Sequence, residues 1–442
     1  MTSRLEKRIR EETLPPLIHR YFSDAACADR LPPSTLAQFQ KEALQEIITR
    51  AYQKSPFYQR KMTQAGVMPQ DIKGLADLIK MPFTTKDELR QDPWALLACD
   101  KKEISLIHVS TGTTGGKEIY TMQTWREYYL SHLITYPSLI PVDRRDLCFV
   151  ALPYEMSSAG LTFHYKLMIG YEAAVMPAGK GGAYSTPEKT VRLMRQLKPS
   201  IVVTSPSYAM TLAEAAAEIS FDLTGLGLKK MWLGGEGCSP AFRQRVEKVW
   251  GATANFTSGS TECGGYGNEC DFHDGYHIAQ GHLLMEIVDP ETGKALKPGE
   301  TGELVITCLL RFDTPLIRYR TQDFACLDLT PCRCGSTLPR LYLRGRAADQ
   351  IVLKGKPFSP FQLEEILMRL PEVGNWYQFV VKAGNNDQLR IRTEPALGVA
   401  PTPDLAAGLA GKIEAATGAP CHLQFVDRLP RDKTKAVRVI RE

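Results

Sequence analysis

Between residues 101 and 250, short apolar runs alternate with helical segments, and this alternation restricts the possible folds more than any other feature of the chain. Runs at 101–109, 147–153, 172–177, 200–204 and 229–233 read as strands. The segments 122–136, 186–197, 207–219 and 239–250 between them read as helices. A strand, a helix and a second strand in succession make a crossover unit, so an α/β layer with a largely parallel sheet is expected. Upstream, 37–66 places Phe39, Leu44, Ile47, Ile48, Ala51 and Tyr52 at helical spacing. From about residue 278 the pattern changes to strands and turns, with Leu283 to Asp289, Gly302 to Leu309 and a turn at 290–293, which predicts a β-rich, antiparallel or barrel-like subdomain over 278–344. The last hundred residues read as a small α+β unit, with helices at 360–370 and 402–417 and strands at 377–382, 388–393 and 422–426. The expected division is a large N-terminal α/β domain, 1–344, and a small C-terminal domain, 345–442.

Directly behind the first of these strands stands Ser110-Thr111-Gly112-Thr113-Thr114-Gly115-Gly116-Lys117. Glycines let a backbone approach an anion, hydroxyl and N–H groups donate to it, and lysine adds a mobile positive charge, so the stretch suits a loop that wraps phosphate. Its spacing is not that of the common NTPase loop, because Glu118 follows the lysine. The net charge of +5 is spread along the chain and gives no reason to invoke nucleic acid or an anionic membrane surface. No apolar run approaches the roughly 18 residues of a membrane span, and the N-terminus lacks a secretory pattern, so a cytoplasmic protein is expected. Eleven cysteines, an odd number in a long chain, fit reduced thiols better than a disulfide framework.

Four of the cysteine and histidine positions suggest a metal. Cys332 and Cys334 flank one arginine before Gly335, and Cys270 precedes His273 and His277. Three thiolates and one imidazole make a tetrahedral structural zinc site chemically reasonable, with either histidine as the fourth ligand.

Taken together, several segments resemble the adenylate-forming superfamily and, within it, the phenylacetate-CoA ligase family. They are the loop 110–117, Gly234-Gly235-Glu236, Thr257 to Glu262, Gly302 to Leu304, Arg318 to Asp323, Gly345 to Asp349 and Leu429 to Lys435, in the family's order across nearly the whole chain. The resemblance implies activation of a carboxylic acid by ATP and Mg²⁺ to an acyl-adenylate, then transfer to coenzyme A. It implies that Ser110 to Lys117 hold the triphosphate, that Glu262 holds Mg²⁺ with Thr261 beside it in the catalytic set, and that Ser258 contributes to the nucleotide site. Asp323 would accept from the ribose hydroxyls, Arg346 would contact ribose or phosphate, and Gly234, Gly235 and Glu236 would line the adenine slot. Gln322 stands where the family usually has glycine. Lys435 is the implied adenylation lysine, carried on a mobile C-terminal domain that pivots between 346 and 350.

By the same resemblance, Tyr154, Ala159, Gly160 and Gly259 border the acid, and an apolar slot of tyrosine and small residues suits an aromatic acid of the phenylacetate, benzoate or anthranilate type. The family's pattern also favours His277 over His273 as the ligand beside Cys270, Cys332 and Cys334. Two other readings of the chain are a stand-alone adenylating enzyme that loads a carrier protein and a non-catalytic zinc-ribbon binding module. Family members are often homodimers.

Overall fold

The computed structural model describes residues 16–22, 28–110, 117–346, 349–382, 384–431 and 436–442. Thr111 to Gly116, Ala347, Ala348 and Lys435 lie outside the described residues. The chain forms two compact units: one comprises Met1–Cys148, Tyr154–Met176 and Asn255–Leu343, the other Phe149–Pro153, Pro177–Ala254 and Arg344–Glu442. None of the helices among the described residues is long and apolar enough to cross a membrane.

In the first unit the helical stretch predicted over 37–66 is two helices, Pro33–Lys54 and Pro56–Gln64. Proline lacks the N–H that would continue the ladder, so the first helix stops at Ser55 and Pro56 opens the second. Strand Ile104–Ser110 forms a separate two-stranded antiparallel hairpin with Ile119–Thr124. The helix predicted from 122 therefore begins at Trp125, where Thr124 caps it by accepting from the Glu127 N–H. The β-rich region starts at Ala254 rather than 278. Its strands run in the order Leu283–Val288, Gly302–Cys308, Tyr319–Asp328, Arg340–Arg346, Tyr276–Ile278, Gly264–Asn268 and Ala254–Ser260. Leu283, Ile287, Leu304, Ile306, Leu316, Tyr319 and Leu341 fill the core on one side of this sheet, together with Cys263, Tyr266 and Cys308.

The second unit contains the predicted crossover pattern. Strands Ile201–Thr204 and Lys230–Leu233 are buried along their length and pair in parallel, joined through helix Pro206–Glu218. Burial on both faces explains why they read as unbroken apolar runs. Helices starting at Pro187, Pro206, Pro240, Pro360 and Pro403 share one device: Thr186, Ser205, Ser239, Ser359 and Thr402 each accept an N–H from the first turn, and proline occupies the first helical position. Each such cap contributes about 1 kcal/mol, and the proline has no orphan N–H to satisfy. The C-terminal part of the unit is a four-stranded sheet in the order Cys421–Phe425, Leu389–Pro395, Val373–Val381 and Val439–Arg441. Its last strand and the hairpin Ile351–Leu353 with Lys356–Phe358 are too short to announce themselves in the sequence.

Candidate functional site

In the first unit, strand Ala254–Ser260 pairs with Gly264–Asn268 so that Ser258 lies opposite Gly267 and Gly259 opposite Gly265. A Cβ on Gly259 would come within 2.5 Å of the Gly264 carbonyl oxygen, so the hairpin closes this tightly only with glycine there. The turn between the strands carries Thr261 and Glu262, both half-buried. Two buried side chains fix Glu262. Arg311 Nη1 donates to its backbone carbonyl at 2.7 Å, and the Tyr319 hydroxyl donates to its Oε1 at 3.4 Å. The other N–H groups of Arg311 reach Thr314 Oγ1 at 2.9 and 3.1 Å and the Met122 carbonyl at 3.2 Å. Buried Glu127 accepts from the Asp313 and Thr314 N–H groups at 2.6 and 2.9 Å. Burial pushes the Glu127 carboxyl up while the Arg311 guanidinium opposes the shift. Such a satisfied polar network in low dielectric is stiff, and it holds the Glu262 backbone in one position.

Asp323 lies on Tyr319–Asp328, its N–H donating to Thr321 Oγ1 at 3.1 Å. Gln322 before it has φ 64°, the left-handed conformation that favours glycine, and its N–H donates to Glu303 Oε1 at 3.1 Å. The backbone thus takes the glycine-like turn even though the residue is glutamine, at a steric cost of about 1 kcal/mol. Burial pushes the nearby Tyr266 phenol, in the same core cluster as Tyr319, well up. The Tyr319 hydroxyl that reaches Glu262 belongs to the strand that carries Asp323, so the two motifs are joined through one strand.

Ser110 ends its strand opposite Ile119, and exposed Lys117 accepts at its carbonyl from Arg90 Nε at 3.2 Å. Ala159 and Gly160 form the first turn of helix Ser158–Tyr165, with Gly160 buried. The Tyr154 hydroxyl lies 3.3 Å from His164 Nδ1. From Tyr154 an aromatic series continues through His164 and Tyr165 to Tyr128, with ring centroids 6.1, 5.5 and 5.3 Å apart. Tyr128 was not singled out from sequence because it sits in a helical segment rich in aromatic residues, which reads as core.

The structure brings Cys270, His277, Cys332 and Cys334 together, with one ligand atom of each within 4.8 Å of the others. His277 is buried on strand Tyr276–Ile278, and its Nε2 lies 3.5 Å from Cys334 Sγ. Its Nδ1 is 3.3 Å from the Leu338 carbonyl, which fixes Nδ1 as the protonated nitrogen and leaves Nε2 a lone pair toward the sulfurs. Burial holds the imidazole below its ordinary pKa and so keeps it neutral. Cys270 Sγ and Cys332 Sγ are 3.8 Å apart. The Cys332 to Ser336 turn closes with Gly335 at φ 85°, and the Ser336 N–H points at Cys334 Sγ at 3.4 Å. His273 is outside this group, with Nδ1 3.4 Å from Glu269 Oε2. The four side chains could hold one four-coordinate cation.

In the second unit the Gly234 N–H donates to the Thr204 carbonyl at 3.0 Å, and Gly235 adopts φ 79°. Glu236 is engaged by protein groups: its Oε1 accepts from Lys180 Nζ at 3.0 Å and from Ser207 Oγ at 2.6 Å. Burial raises the Glu236 carboxyl, but Lys180 and Ser207 outweigh it and hold the group below the usual range. Sequence reasoning missed Lys180. Its signal was Gly179-Lys180-Gly181 after strand Ala174–Pro177, with both glycines left-handed. Arg346 ends strand Arg340–Arg346, where its carbonyl accepts from Gln350 Nε2 at 3.4 Å.

Comparison with known proteins places this geometry in context. Residues 28–308 match the model of the AMP-binding enzyme family, and residues 355–442 match that of the AMP-binding enzyme C-terminal domain. Phenylacetate-coenzyme A ligase of Thermus thermophilus is 34% identical over 377 residues, covering 83% of each chain. The Escherichia coli protein of the same name is 32% identical, covering 81% of this chain and 82% of its own. Among solved structures, 2-hydroxyisobutyryl-CoA ligase in its postadenylation state superposes with a TM-score of 0.86 at 22% identity, over 98% of this chain and 94% of that one. An anthranilate CoA ligase shares the fold more distantly, with a TM-score of 0.58 at 18% identity over 77% and 66%.

Proposed function

This chain belongs to the AMP-binding enzyme family, in its phenylacetate-CoA ligase branch, and on that premise we propose that it activates an aromatic carboxylic acid and passes it to coenzyme A. The reaction class is that of an AMP-forming acid–thiol ligase. A carboxylate oxygen attacks the α-phosphate of ATP and pyrophosphate leaves. The thiol then attacks the acyl carbonyl and AMP leaves. Both steps bring anions together, so the protein's task is to supply donors and cations where negative charge accumulates.

The observation that carries the reading is that Glu262, held by Arg311 and Tyr319, is tied through Tyr319 to the strand Tyr319–Asp328 that also carries Asp323. In this reading Asp323 accepts from the two ribose hydroxyls, which its pair of acceptor oxygens suits. Ser258, Thr261 and the loop Ser110 to Lys117 contact the nucleotide, the glycines Gly234 and Gly235 leave room for the adenine, and Arg346 contacts ribose or phosphate. Glu262 is the residue that would hold Mg²⁺, since a half-buried carboxylate that, among the described residues, receives one long hydrogen bond suits a hard cation. When bound, that ion offsets phosphate charge and orients the triphosphate. Lys435 donates to the acyl carboxylate and the α-phosphate, and the C-terminal domain that carries it pivots between 346 and 350. Cys270, His277, Cys332 and Cys334 would hold zinc, whose chemistry there is structural, because four protein ligands leave no open position.

The aromatic substrate class is supported by the Tyr154, His164, Tyr165 and Tyr128 series together with the small residues Ala159 and Gly160 of helix Ser158–Tyr165, and in the same reading Gly259 also borders the acid. A panel of aryl and alkyl acids, scored for ATP-dependent pyrophosphate release and then for thioester formation with free coenzyme A, tests the proposal. Aryl acids are expected to lead in both assays. Pyrophosphate release without consumption of coenzyme A, or preference for a short alkyl acid, would overturn it.

A further inference from the structure

The segment 432–435 is bracketed by two arginines, and both are tied to the same tryptophan. Arg431 stacks on the Trp376 ring with its guanidinium carbon 4.1 Å from the centroid, and Arg438 lies 5.7 Å from the same ring. Arg438 also faces Tyr377 at 4.3 Å and Phe242 at 5.1 Å, and its Nη1 donates to the Asn375 carbonyl at 3.2 Å. Trp376 is itself oriented by a carboxylate: its indole N–H donates to Glu214 Oε1 at 2.6 Å. That carboxylate also receives Arg431, from Nη2 to Oε1 at 2.7 Å and from Nε to Oε2 at 3.1 Å.

Glu214 stands on helix Pro206–Glu218, whereas Trp376 and Arg431 belong to the part of the unit that matches the C-terminal domain model. A second acid, Glu394, also accepts from Arg431 through two bonds, from Nη1 to Oε1 at 2.5 Å and from Nη2 to Oε2 at 2.9 Å, but it lies on Leu389–Pro395 within that same C-terminal part. Glu394 therefore fixes the arginine to its own sheet. Glu214 is the carboxylate that ties it to the helix. A bidentate guanidinium–carboxylate pair fixes direction as well as distance, and stacking on the indole removes the remaining freedom of the planar group.

From this arrangement we infer that Glu214 is a positioning residue for adenylation: acting through Arg431 and Trp376, it holds both ends of the segment that carries Lys435. The inference rests on the reading of Lys435 as the adenylation lysine. It concerns the first half-reaction alone, because only that step uses this lysine at the α-phosphate.

The test compares the two half-reactions in the full-length protein. Glu214→Gln is expected to slow acid-dependent ATP–pyrophosphate exchange about tenfold, since small displacements of a catalytic group cost rates of this order. Thioester formation from supplied acyl-adenylate and coenzyme A should stay within about twofold, and the melting temperature within about 2 °C. Arg431→Lys, which keeps the charge but loses the planar fork, should show the same split to a smaller degree. Trypsin should cleave at Lys433 and Lys435 faster in Glu214→Gln than in the parent protein. Glu394→Gln, which leaves the tie to Glu214 intact, should affect exchange less than Glu214→Gln does. Equal loss of both half-reactions with a lowered melting temperature would reduce the cluster to structural glue and overturn the inference. So would unchanged exchange in Glu214→Gln where Lys435→Ala abolishes it. Full exchange activity in Lys435→Ala would instead remove the lysine reading on which the inference stands.

Discussion

Two carboxylates singled out from the sequence, Glu262 in the first unit and Glu236 in the second, have opposite fates in the folded chain. Glu262 is held by its backbone, through Arg311, while among the described residues its carboxylate carries one long contact, from Tyr319. Glu236 has its carboxylate occupied by Lys180 and Ser207 at short range. A motif position fixes where an acid sits. Its surroundings determine whether its charge is available to a ligand or consumed in holding the fold.

Substitutions can break or sharpen that contrast. The largest expected effect is on stability, for Glu236→Gln. Lys180, with a side chain only 3% exposed, would lose its ion pair with Glu236, and removing one partner of a buried pair costs about 3–5 kcal/mol in denaturant unfolding. Adding Lys180→Met should recover much of the loss, since a buried pair is often replaceable by apolar groups of similar volume. If Glu236→Gln unfolds like the parent while losing nucleotide binding, the contrast is wrong. Glu262→Gln should do the reverse, cutting acyl-adenylate formation about 100-fold, near 2.7 kcal/mol of transition-state stabilisation, with little change in melting temperature.

The cysteine and histidine group extends the comparison to a third donor set whose atoms converge on one another. Cys332→Ser, or prolonged chelation, should release about one zinc per chain by elemental analysis and lower the unfolding midpoint before it alters the rate of thioester formation in protein still folded. A native preparation without metal, indifferent to chelator, would remove this metal centre. The smallest effect belongs to the turn before Asp323. Gln322→Gly relieves left-handed strain but adds freedom to the unfolded chain, so a net gain of about 0.5 kcal/mol is expected, with ribose recognition unchanged. A measurable loss of stability would mean that the Gln322 side chain, not only its N–H to Glu303, supports the turn.

Much of the fold was legible because its signals are local. The Ser/Thr-Pro pairs at 186–187, 205–206, 239–240, 359–360 and 402–403 mark helix starts through hydrogen bonds made within one turn. The buried runs at 201–204 and 230–233 read as strands because burial on both faces leaves no polar alternation. Less legible were the hairpin partner Ile119–Thr124, hidden at the edge of a helical pattern, and Val439–Arg441, three residues whose strand exists through pairing with Phe379 to Val381. Among the site residues, Cys270, His277, Cys332 and Cys334 were named from residue type and family position, and the folded chain brings all four together.

The sequence by itself determined the order of elements, the breaks between them and the chemical types available at each motif, because capping, periodicity and turn preference act over a few residues. Only the tertiary structure decided that Lys180 neutralises Glu236, that Arg311 and Tyr319 fix Glu262, that Gln322 takes a glycine's conformation, and that Glu214 meets Arg431. Charges and hydrogen bonds act over a few ångströms in space, and residues far apart along the chain come that close only once the core has folded.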